Sequence, residues 1–261
     1  MIGIIIAFLG SFLAGMWDLF TTEVPDDVPY LMIFFSICYW FVSAVITSNF
    51  IPLFFSLTVG TLLLVIGLIF YHFRQWGGAD AWILAAIGYA LPFYNGKLFI
   101  IDYIPTFFIV AAAYTIAYAL ALGFLNRFVF KEFMKSARNN LKLLLPLPII
   151  FLMILIFSFF DASYSRMLFL LALASLMMPF WLYGRIIEKQ VFRKKIPVSK
   201  LKVGDVIEDM KWIGLTAEEI KDISKKKKYV IVKEGIRFVP AFPIALAVTL
   251  IYGNLLYMVI L

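Results

Sequence analysis

Histidine and cysteine are almost missing from this sequence: His72 and Cys38 stand alone among 261 residues. A zinc site built from several His and Cys ligands is therefore excluded, and an internal disulfide is impossible. Cys38 lies in an apolar run and is expected to act as a small buried hydrophobe. No metal and no cofactor is expected. Charge is sparse too, at 15% of residues, and it clusters in a few places. What remains is apolar: 64% hydrophobic residues and a mean hydropathy of +0.97, where soluble domains sit nearer half apolar. A soluble fold of this length cannot hide that much apolar surface, so lipid must solvate much of it.

Eight apolar stretches are candidate membrane spans, at approximately 2–18, 29–49, 52–71, 80–94, 103–124, 143–160, 167–187 and 239–261. The fourth is the shortest and stops at Pro92 and Asn95-Gly96. The first lacks the basic start and small-residue cleavage site of a signal peptide. Placing the amino terminus outside puts 21 of the 23 Lys and Arg residues on the inner side and leaves only Lys97 and Arg166 outside. The positive-inside rule selects this orientation. The net charge of +7 thus marks cytoplasmic loops, and no nucleic-acid partner is expected.

The expected fold class is an all-α polytopic membrane protein of about eight transmembrane helices, with a small α+β cytoplasmic insert before the last helix. The expected division is 1–124, the first five transmembrane helices; 125–142, an amphipathic cytoplasmic linker mixing Phe and Met with cations; 143–187, a transmembrane hairpin; 188–238, the insert; and 239–261, the last helix. Within the insert, Ile196-Pro197-Val198 to Ile207 reads as short strands around a turn. Thr216-Ala217-Glu218-Glu219 has capping-box spacing and should open a helix that Lys225 to Lys228 end. Tyr229 to Val232 reads as a strand, followed by a Lys233-Glu234-Gly235 turn and Ile236-Arg237-Phe238.

Carboxylates at or inside spans are costly and therefore candidates for function. Topology sorts the four that qualify. Asp18 closes the first span and Asp80 opens the fourth, both at the cytoplasmic side and at similar depth. Asp102 and Asp161 fall at outer ends. Two carboxylates that meet can share a proton. One then takes a proton from water while the other donates to a scissile carbonyl, which is amide hydrolysis by general acid–base catalysis. Helix dipoles favour charge on Asp80, at a helix start, and the proton on Asp18, at a helix end. Before Asp80, Gly77, Gly78 and Ala79 leave room for another backbone to approach. The loop Glu23, Val24, Pro25, Asp26, Asp27 carries no cation, and Glu23, Asp26 and Asp27 are candidate contacts for a basic substrate segment.

These residues resemble the archaeal preflagellin and type IV prepilin peptidases, the GxGD membrane aspartic proteases. Trp17-Asp18 with its acidic loop and Gly77-Gly78-Ala79-Asp80 carry the likeness. Ile104-Pro105-Thr106 and Gly235-Ile236-Arg237-Phe238-Val239-Pro240 extend it over most of the chain. The resemblance implies that Asp18 and Asp80 are the catalytic pair of an aspartic endopeptidase. It also implies that the substrates are pilin or archaellin precursors, cut between a short basic leader and a hydrophobic helix. Ala79 departs from the second motif glycine, and the 143–187 hairpin is an addition to the six-span pattern. Two other classes compete: a proton-coupled transporter or channel that uses the same aspartates as relays, and a non-catalytic assembly protein that binds through its insert. No run of buried charges continues from the aspartates toward the outer face, which counts against a relay.

Overall fold

A computed structural model of the chain describes residues 1–73, 75–140, 146–160, 177–207, 214–233 and 235–260. It is mostly helical and divides into two compact units, 1–115 with 236–259 and 116–235.

The first unit is built on α1 (Ile2–Thr21), α2 (Asp27–Thr47), α3 (Ile51–His72) and the start of α5 (Phe99–Leu125). These four helices are long and apolar enough to cross a membrane, since about 20 residues span the hydrocarbon core. Each buries no more than a third of its apolar window. The outward faces carry large apolar side chains such as Leu9, Phe34, Phe54 and Leu62, the composition that lipid solvates. Cys38 is on such a face and is exposed, contrary to the expected burial, because α2 packs inward along only one stripe, through Pro29, Met32, Ser36 and Ala44.

The short α4 (Gly78–Ala90) is packed by α1, α2 and α3. Glycines set the contact with α3: a Cβ at Gly67 would stand 2.7 Å from the Ala81 Cα, and one at Gly88 would stand 2.7 Å from a Leu63 methyl. Small residues let backbones approach in this way. At 13 residues, α4 rises only about 20 Å and ends within the unit. Two of its last carbonyls are satisfied from neighbouring helices: Trp40 Nε1 donates to Ala90 O at 3.3 Å and Ser56 Oγ to Tyr89 O at 2.6 Å. Away from water such groups must find a protein partner. A tight hairpin follows, β1 (Phe93–Tyr94) with β2 (Lys97–Leu98), turning through Asn95 and Gly96 at φ 51° and 75°. The fourth apolar stretch is therefore a buried short helix plus a hairpin, and the all-α expectation needs that correction.

In the same unit, α10 (Ala241–Tyr252) breaks at Gly253-Asn254 before α11 (Leu255–Ile260). Thr106 of α5 bridges the break: its Oγ1 donates to Gly253 O and accepts from the Leu255 N–H, each at 3.0 Å.

The second unit holds α6 (Arg127–Asn139), capped by Asn126, α7 (Pro146–Phe160) and α8 (Met177–Ile187). Tyr183 of α8 donates to Ala119 O at 3.1 Å. The insert is a three-stranded antiparallel sheet of β3 (Arg193–Pro197), β4 (Val206–Ile207) and β5 (Tyr229–Lys233) in the order β3-β5-β4. Val230 and Val232 point into a core with Val198, Ile207 and Leu215. The capping box at Thr216 opens α9 (Ala217–Lys226), with Thr216 and Glu219 exchanging backbone hydrogen bonds. Ile236 to Phe238 form no strand. Of the eight expected spans, 143–160, 167–187 and, by its last residue, 239–261 reach beyond the described residues.

Candidate active site

The buried stripe of α1 runs Gly3, Ala7, Ser11, Ala14, Gly15, Asp18. The three- and four-residue spacing puts these side chains on one face. Small residues bring this face against its neighbours, since a Cβ at Gly15 would lie 3.1 Å from the Pro240 Cα. Asp18 ends the stripe and is carried inward with it, to 6% exposure. Its Oδ2 accepts a hydrogen bond from the Val239 N–H at 3.1 Å.

Asp80 is in the first turn of α4, at 7% exposure. Its Oδ2 accepts from the Gly77 N–H at 2.8 Å. This is the half of a capping box that a glycine N-cap can supply, because glycine offers no side-chain oxygen in return. The carboxylates of Asp18 and Asp80 are close enough to act on each other electrostatically. Two separate helices thus each carry a buried acid, within electrostatic range of the other.

Gly77 has an ordinary φ of −75°, and among the described residues a Cβ at Gly78 would meet only the Tyr71 ring, at 3.9 Å. Among those residues none presses on this loop as closely as α4 presses on Gly67, so space is left beside it. Ala79 is half-buried beside them.

Aromatic rings wall the site. Trp76 stacks on Phe70 with centroids 4.7 Å apart and meets Phe107 and Phe242 edge-on. Phe238 packs against Trp76 and Phe242. The segments flanking Asp80 and Val239 are thereby fixed to one apolar block.

Asp102 lies in the first turn of α5, separated from Asp80 along the chain by all of α4 and the hairpin. Asp161 lies outside the described residues. Glu23, Asp26 and Asp27 are exposed in the turn that joins α1 to α2. Among the described residues no group of three or more His, Cys, Asp or Glu is placed to hold a metal.

Arg237, Val239 and Tyr114 were not anticipated as site residues. Arg237 Nη1 donates to Leu19 O, and the Tyr114 hydroxyl donates to Arg237 O at 2.7 Å. The 235–240 run stood out in the sequence, but nothing in it named a partner more than 200 positions away.

Residues 5–123 match the profile described as the type IV leader peptidase family. This stretch contains both buried aspartates and α1 to α4. The likeness covers just under half of the chain. No curated protein and no solved structure matches the chain. The match points to a peptidase, and the four long apolar helices have the length and composition of membrane spans.

Proposed function

We propose that this peptidase is an aspartic endopeptidase that removes the short basic leader from type IV pilin-like or archaellin precursors at the cytoplasmic membrane face. The observation that carries the proposal is that Asp18 and Asp80, carboxylates at the ends of separate helices, are both buried and both lie within the family-matched region. A carboxylate of the pair takes a proton from water as the oxygen attacks the scissile carbonyl. The protonated partner donates to the carbonyl oxygen. The tetrahedral intermediate then collapses, the amine leaves with a proton, and a new carboxyl group remains. No covalent enzyme intermediate forms.

The orientation follows the charge split: amino terminus outside, insert cytoplasmic. The leader is cationic, and the exposed Glu23, Asp26 and Asp27 at the end of α1 supply the opposite charge to steer it. The space beside Gly77 and Gly78 that no neighbouring backbone fills accommodates the extended substrate. Purified protein in lipid, incubated with a leader-bearing pilin-like precursor, should yield one cut between the basic leader and the hydrophobic helix, read by intact-mass spectrometry. A precursor left whole, or cut elsewhere, refutes the proposal.

A further inference from the structure

Helix α1 ends at Thr21, and its last carbonyls have no partner within the helix. Two are taken up from outside: the Thr22 N–H donates to Asp18 O at 2.9 Å, and the Arg237 guanidinium donates to Leu19 O. Two residues beyond Arg237, the Val239 N–H holds the Asp18 carboxylate. The Arg237 carbonyl is itself tied down by Tyr114. The segment Arg237–Val239 therefore clasps the end of α1 at both Leu19 and Asp18. Among the described residues, the charged groups that act on Asp18 and Asp80 are Arg237, on Asp18, and Asp18 itself, on Asp80.

The clasp changes the electrostatics of the pair. The negative end of a helix dipole is about half a charge, and it resides on unsatisfied carbonyls. Here two of those carbonyls are satisfied, one by a group carrying a full positive charge. Arg237 is half-buried, so solvent screens it less than a surface cation. Among the described residues, Asp80 receives one N–H and a helix start, with no side-chain cation.

Resting on the peptidase reading, we propose that Arg237 is a positioning residue. Through its hold on Leu19 and its charge beside Asp18, it keeps Asp18 as the ionised member that takes the proton from water and leaves the proton of the pair on Asp80. This reverses the roles expected from helix dipoles alone.

The test uses the full chain in proteoliposomes with a leader-bearing precursor. Arg237→Gln should lower kcat roughly 10- to 100-fold, within the ~10²–10⁴ that a general acid–base group contributes. KM should hold to within about 2-fold, because Arg237 acts on the reacting pair and not on ground-state binding. The acidic limb of the kcat profile should move to higher pH, since a base that loses its cation needs less acid to be protonated. Arg237→Lys, which keeps the charge, should recover most of kcat and the original limb. Should Arg237→Gln fail to fold, Tyr114→Phe releases the Arg237 carbonyl with every charge in place, and should lower kcat with KM unchanged. Unchanged kcat in the folded variant, or movement of the alkaline limb instead, overturns the inference. A wild-type protein that cleaves no precursor refutes the peptidase reading and this inference with it. Cleavage by wild type with an indifferent Arg237 refutes the inference alone.

Discussion

Gly67→Ala should impair catalysis without touching a reacting group. Gly67 faces α4, and a Cβ there would lie 2.7 Å from the Ala81 Cα and 2.8 Å from its Cβ. Ordinary contact begins at 3.4 Å, so the two helices must separate by about 0.7 Å. The obstacle is backbone and cannot swing aside. Ala81 follows Asp80 directly, so the displacement is delivered one residue from a proposed catalytic group. A shift of about 1 Å at reacting atoms can cost ~10²-fold in rate. Shared between two helices, this one should lower kcat roughly 10-fold. Overpacking adds about 1–3 kcal/mol of destabilisation, partly offset by the ~1 kcal/mol that alanine gains over glycine in a helix. Gly184→Ala is the control: it gains the same propensity, and its Cβ would meet none of the described residues within 4 Å. Both variants would be assayed for precursor cleavage and for thermal unfolding in detergent. A Gly67→Ala protein with kcat within about 2-fold of wild type would refute the close α3–α4 contact as the device that positions Asp80.

Two further outcomes are expected. Thr106→Val strips the hydroxyl that bridges the Gly253 break and should destabilise the protein by about 2–6 kcal/mol, since two backbone groups each lose a partner at roughly 1–3 kcal/mol. Thr106→Ser should cost about 1 kcal/mol for the lost methyl, and equal melting temperatures for the two would contradict the bridge. In a Cys38→Ser background, Lys226→Cys should react with an impermeant thiol reagent only from the cytoplasmic side and Lys97→Cys only from outside; the opposite pattern would invert the topology and move the aspartates to the wrong face.

The proposed pairing of Asp18 with Asp80 was open to sequence reasoning because charge sidedness and span counting assign a depth without coordinates. The Thr216 capping box and the amphipathic Arg127–Asn139 helix were equally legible, being set by spacings of three to four residues. Less was visible where long-range packing decides. The fourth apolar stretch reads as a span by composition, yet α4 ends at Ala90, just ahead of Pro92, and Trp40 and Ser56 take up its last carbonyls. Asn95-Gly96 was recognised as a stop, and the two-residue strands it joins are too short to announce themselves. Cys38 was expected inside, but apolar residues in a lipid-facing helix point outward as readily as inward. Arg237 and Val239 reach α1 across 218 and 221 positions, and no local pattern encodes such a contact. Three of the expected spans, 143–160, 167–187 and 239–261, extend past the described residues, the last by one residue.

The account turns on Asp18 and Asp80 acting as one catalytic unit. The most direct measurement is single-turnover cleavage of a leader-bearing precursor by wild type, Asp18→Asn, Asp80→Asn and the double variant, each first shown to insert and fold. The substitutions keep side-chain size and remove the acid. Members of one catalytic unit are strongly non-additive. Each single variant should therefore fall by at least ~10³-fold, with the double variant no worse than either, while Asp102→Asn stays within about 2-fold of wild type. Substantial cleavage by either single variant, or a double variant that multiplies two modest losses, would contradict the dyad.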